Sequence, residues 1–182
     1  MKEFNKEQFK NDFISYFGEE KWFEEEMLEK LFPFMEFICD DLEVEMIPVL
    51  FDESIPDDSR LVLDDLENGP YILISTRLVN NFVVVAKNIA HEMKHLHQYI
   101  VVAEEPNHPL REKWLNNMAN PFVVTNYDDV DQFSEYSSQP LEVDAFSYQY
   151  YAVNKFFDLD LCHPSEWYDM LLKFHAEKYF LK

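Results

Sequence analysis

His91-Glu92-Met93-Lys94-His95 sets two imidazoles four positions apart, with a carboxylate directly after the first. In an α-helix each residue turns about 100°, so the two histidines lie about 40° apart, one turn above the other. Imidazoles placed this way can share one metal ion. Glu92 stands beside them, where it can reach a water on the metal rather than the metal itself. The chemistry this set points to is zinc-assisted hydrolysis. Zinc lowers the pKa of its bound water to about 7, and a neighbouring glutamate takes the proton as general base.

Asn88 and Gln98 fall on the same helical face as the histidine pair. They read either as outer partners that orient a ligand or touch substrate, or as plain polar members of that stripe. His97 points roughly 160° away from His95 and is a poor ligand. Catalytic zinc takes three protein ligands and keeps one position open. His108, His163 and His175 are available, but none continues the motif with ligand spacing. A carboxylate is the better candidate. The stretch QPLEVDAFSYQYY, Gln139 to Tyr151, supplies Glu142 and Asp144 at the start of a second, otherwise apolar and aromatic helix. Acids also suit a helix N-terminus by charge alone, which is the competing explanation. Glu142 is the expected third ligand. Asp144 is second choice as a ligand and fits better as an outer partner orienting a histidine. Ala145 is small enough for the two helices to approach closely.

The elements that must carry these residues follow from periodicity. Phe4, Phe9, Phe13 and Phe17 recur at helical intervals, and Gly18 separates them from a second helix over 19–39 with Pro33 inside it. Three strands are expected over about 43–51, 60–66 and 70–75. The last two form a hairpin around Asn68-Gly69, and Pro48 marks an edge or a bulge. Asn80 or Asn81 caps the motif helix, which runs from about 80 to 103. A short helix over 110–118 follows, then a stretch without clear period over 119–138. Pro140 stands in the first turn of a helix over 139–157. The final helix, 164–179, carries Trp167, Met170, Leu171 and Phe174 on one face. Helices, then a small antiparallel sheet, then helices again make a mostly helical α+β fold. The expectation is a single domain over 1–182, with the helical segment 1–40 packed on it.

Composition narrows the partners. With 36 acids against 15 bases the formal net charge is −21. Such a chain repels a phosphate backbone, so direct nucleic-acid binding is not expected, whereas a basic partner would be attracted. Only two glycines are present, and none lies in a phosphate-cradling loop. Cys39 and Cys162 lack ligand spacing and read as free thiols. The N-terminus lacks an apolar signal segment, and no apolar run is long enough for a membrane, so a cytoplasmic protein is expected.

The segments IAHEMKHLHQ and QPLEVDAF together resemble the zincin metallopeptidases whose third ligand is a downstream glutamate. In detail they resemble the small bacterial and phage ImmA/IrrE-like group. The resemblance implies a zincin-like domain that hydrolyses peptide bonds. His91, His95 and Glu142 would hold zinc and Glu92 would be the general base. It also implies a small sheet ahead of the active-site helix whose edge strand pairs with an extended peptide, with Tyr71–Ser75 the expected edge. There are departures. Phe146 stands where the group has an asparagine, and the interval from His95 to Glu142 is long. That interval brings Tyr127 and Tyr136, candidate donors to an oxyanion. No DNA-binding segment accompanies the domain. Two other readings stand beside the peptidase: a catalytically silent zinc-binding module that engages a basic partner, and a metal-free acidic helical interaction protein.

Overall fold

The first helix, α1 (Glu24–Leu42), lays Met27, Leu31, Phe34 and Ile38 along one buried stripe and runs on through Pro33. In this computed structural model the described residues are 24–55, 59–63, 65, 69–123 and 129–181. The expected helix around Phe4, Phe9, Phe13 and Phe17, and Gly18 with it, lies outside them. α1 ends on Glu43 in the left-handed region (φ 55°), and Val44 N–H donates back to the Cys39 carbonyl at 3.1 Å. That is a Schellman closure made without glycine. It carries the helix three residues beyond the expected end at 39, and the first strand starts late.

The strands are β1 (Val49–Asp52), β2 (Ser59–Val62) and β3 (Tyr71–Ser75), in the order β1-β3-β2. β2 and β3 form the expected antiparallel pair, with Gly69 at φ 74° in the connection. β1, however, runs parallel to β3, so the sheet is mixed rather than antiparallel. Tyr71–Ser75 is the central strand, not an edge. It is flanked on both sides and buries Ile72 and Ile74 completely, which no solvent-facing edge would do. Among the described residues the edges are β1 and β2. Pro48 directly precedes β1, and only its carbonyl is used by the sheet, accepting Ile72 N–H at 2.9 Å.

A single 3₁₀ turn (Thr76–Leu78) leads to α2 (Phe82–Glu104), capped by Asn81 Oδ1, which accepts Val84 N–H at 3.2 Å. There follow α3 (Arg111–Ala119), α4 (Val130–Ser137), α5 (Pro140–Phe157) and α6 (Glu166–Tyr179). α4 occupies part of the stretch expected to lack regular structure. Asp129 starts it by accepting the N–H groups of Asp131 and Gln132. Pro140 is in the first turn of α5, as expected.

The main core joins α1, the sheet, one side of α2 (Val85, Ala86, Ile89, Ala90, Met93) and α5 (Tyr148, Ala152, Val153). Ala86, Ala90, Ala145 and Ala152 are all fully buried, and these small residues let helices come close. α6 turns its Trp167, Met170 and Phe174 side outward. Trp167, Met170 and Phe174 are about two-thirds exposed (66%, 66% and 65%), while Tyr168 and Leu172 are buried. Two polar anchors set this rotation: Tyr168 Oη donates to the Ser137 carbonyl at 2.6 Å, and His175 bonds Asp144 at 2.8 Å. Among the described residues no helix is long and apolar enough to cross a membrane. Both cysteines are free.

Candidate metal centre

One side of α2 feeds the core, another turns His91, His95 and Gln98 toward α5, and Glu92 faces β2. The two helices run antiparallel, so Gln98 meets Leu141 and Asp144, while the histidines meet Glu142. His91, His95 and Glu142 are brought together with all three donor atoms within 4.8 Å of one another. His91 Nε2 lies 3.0 Å from His95 Nε2 and 3.2 Å from Glu142 Oε2, and His95 Nε2 lies 3.6 Å from Glu142 Oε1. Ligands at about 2.0–2.1 Å from a tetrahedral ion stand about 3.3 Å apart, and the closest approaches in this triangle of residues, which reach both oxygens of Glu142, bracket that spacing.

Hydrogen bonding sets the tautomer of His95. Gln98 Nε2 donates to the Leu141 carbonyl (3.0 Å) and to Asp144 Oδ2 (2.8 Å). Both partners only accept, so the amide orientation is fixed and Gln98 Oε1 faces His95 Nδ1 at 2.8 Å. Oε1 cannot donate, so Nδ1 carries the proton. A neutral His95 therefore turns the bare lone pair of Nε2 toward the other two ligands. Glu142 Oε2, although within ion-pair range of His91, is buried and makes no aligned hydrogen bond among the described residues. Leaving a buried carboxylate oxygen without a donor costs about 1–3 kcal/mol or more. A cation at the centre of the triangle would meet that need, and the donor set therefore fits a metal ion.

Without an ion, the cluster compensates by ion pairing. Burial alone would lower the His95 imidazole, but the charge of Glu142, then its hydrogen bond, push it up to about 9. Burial alone would raise the Glu142 carboxyl, yet the two imidazoles, His95 first, hold it far below the usual carboxylate range.

Glu92 is buried beside the cluster, and Ser59 Oγ on β2 donates to its Oε1 at 2.8 Å. Asp144 is fully buried and belongs to the outer layer, not to the triangle. It accepts from Gln98, from His175 Nε2 (2.8 Å) and faces the Lys94 ammonium at 3.4 Å. Lys94 also sits against the rings of Phe180, Tyr148 and Trp114 at 5.0, 5.5 and 5.7 Å. Burial pulls its ammonium below the ordinary lysine range, against the opposing charge of Asp144.

The other candidates part ways with the site. Asn88 is half-buried and makes no side-chain hydrogen bond among the described residues. Tyr127 lies outside the described residues. Tyr136 is in α4, its ring beside Phe133 and its carbonyl taking Gln139 N–H. His108 stacks on Trp114 and accepts Leu110 N–H, and His97 meets Lys94, so neither is a ligand. Sequence reasoning missed Ser59, Lys94 and the part played by His175. Lys94 reads as a surface charge inside the motif, and a serine on a strand carries no signal. His91 Nδ1 is buried without a described partner, and the Phe146 ring packs edge-on against this imidazole, centroids 4.7 Å apart. Compared with protein-family models, curated proteins and solved structures, the chain matches none.

Proposed function

We propose that the protein is a zinc-dependent peptidase, with His91, His95 and Glu142 as ligands and Glu92 as general base. The observation that carries this reading is the meeting of His91, His95 and Glu142, with closest approaches of 3.0, 3.2 and 3.6 Å between their side chains and a buried glutamate beside them. Two imidazoles and one carboxylate are a donor set that zinc accepts, and they leave a fourth position for water or substrate. Zinc held there would supply a Lewis acid and a water of lowered pKa. Ser59 holds one oxygen of Glu92, so the other oxygen is the one to take a proton and later pass it to the leaving amine. Gln98 and Asp144 keep His95 in the tautomer that offers Nε2.

The edge strand that suits peptide docking is β2, because it is an edge and carries Ser59 to Glu92. An extended peptide would add to that edge through backbone hydrogen bonds. The test is Glu92→Gln: the variant should keep its metal and lose hydrolysis of a peptide that the wild type cuts. Cleavage at the wild-type rate would remove Glu92 as the base. The charge of −21 favours a second reading, a zinc-holding module that binds a basic partner without cutting it. Salt-sensitive capture of a basic protein that stays intact on the zinc-loaded wild type would select it.

A further inference from the structure

The interface between α2 and α5 continues past the metal triangle. Rung by rung, the histidine pair faces Glu142, His91 faces Phe146, and Lys87 faces Tyr150. Lys87 stands one helical turn, about 6 Å along the axis, ahead of His91 on the same face. Its Nζ donates to Tyr150 Oη at 3.2 Å and lies 4.4 Å from that ring's centroid. It is half-buried, and burial holds its ammonium below the ordinary range. Among the described residues no carboxylate pairs with it. Acids outnumber bases 36 to 15 in this chain, yet the charge of half-buried Lys87 rests on a phenol rather than a carboxylate among the described residues.

Two further donors surround it. Tyr150 Oη accepts from Lys87, which leaves its own O–H to donate, and burial pushes that phenol up to about 12, so it keeps its proton. His163 accepts Ser165 N–H on Nδ1 at 3.1 Å, which places its proton on Nε2, and its ring lies 6.4 Å from that of Tyr150. Asp169, the acid whose charge reaches Tyr150, is already engaged by Lys173 Nζ at 2.8 Å and His163 N–H at 2.9 Å. The cluster therefore offers one positive charge and two proton donors.

We propose that Lys87, Tyr150 and His163 form a subsite for a carboxylate of a bound peptide, one turn from the metal triangle, and select acidic peptides. This rests on the reading of the triangle as a centre that acts on peptides. The carboxylate is either a chain end or an acidic side chain, and three probes separate these: acetyl-trialanine as the free acid, as its amide, and as the amide with a central glutamate. Binding is measured calorimetrically on chelator-treated protein, where no metal can capture the carboxylate directly. One charged probe should bind the wild type about tenfold more tightly than the neutral amide, as a charge-assisted contact implies. The charged probe that shows the preference identifies the source. Lys87→Arg should keep it, Tyr150→Phe should weaken it, and Lys87→Met should abolish it with affinity for the amide unchanged. Equal binding of all three probes, no binding of any, or a preference that survives Lys87→Met would overturn the subsite. Because the readout is binding, a failure to hydrolyse peptides would count against the peptidase and not against this preference.

Discussion

Asp144 and Lys94 form a buried ion pair at 3.4 Å, with side chains 0% and 5% exposed, so removing either partner strands a charge in the interior. Breaking such a pair typically costs about 3–5 kcal/mol. Asp144→Asn leaves the Lys94 ammonium facing a neutral amide, and Lys94→Met leaves the carboxylate with Gln98 and His175 only. Each single change should destabilise the chelator-treated protein by about 3–5 kcal/mol. The double variant Lys94→Met/Asp144→Asn removes both charges and keeps the hydrogen-bonded shape. It should therefore cost about 2–3 kcal/mol less than the sum of the singles. Urea titration of the four proteins in chelator gives the cycle. The two singles adding to the double within about 0.5 kcal/mol would refute the buried pair as the organiser of this layer.

Other consequences are sharper in kind than in size. The His95 imidazole, raised to about 9 by Glu142, lies above its unfolded value, so its contribution to metal-free stability is complete below about 6.5 and lost as pH rises to about 9. Chelator-treated protein should lose on the order of 3 kcal/mol over that interval, and Glu142→Gln should not; a flat profile in the wild type would contradict the pairing. Ser59→Ala should leave metal content unchanged and slow hydrolysis about fivefold, the worth of one positioning hydrogen bond of about 1 kcal/mol. On α6, Leu172→Ala should cost about 2–5 kcal/mol, whereas Trp167→Ser and Phe174→Ser should each stay within about 0.5 kcal/mol. A large loss from the latter two would place that face in the core.

What could be read from the sequence was what a local period encodes. His91, Glu92 and His95 are tied together by the helical turn itself, and Glu142 stands out as an acid in an apolar, aromatic helix. The capped motif helix and the helix begun by Pro140 followed from the same local signals. Strand order is not local. Tyr71–Ser75 has the same alternation whether central or at an edge, and only the partners on both sides decide. The late start of β1 depends on Glu43 taking a left-handed conformation that a glycine would have announced. The face that α6 buries is not legible locally, because Tyr168 and His175 each need a partner in a distant element. Lys94 was passed over for the same reason, since nothing near it in sequence reveals Asp144 fifty residues on.

The central claim is that His91, His95 and Glu142 hold one zinc ion. Elemental analysis of protein purified without chelator or metal resin, followed by addition of one equivalent of zinc, tests it directly. The account predicts about one zinc per chain, reduced strongly in Glu142→Ala. No zinc as purified and none taken up on addition would contradict it.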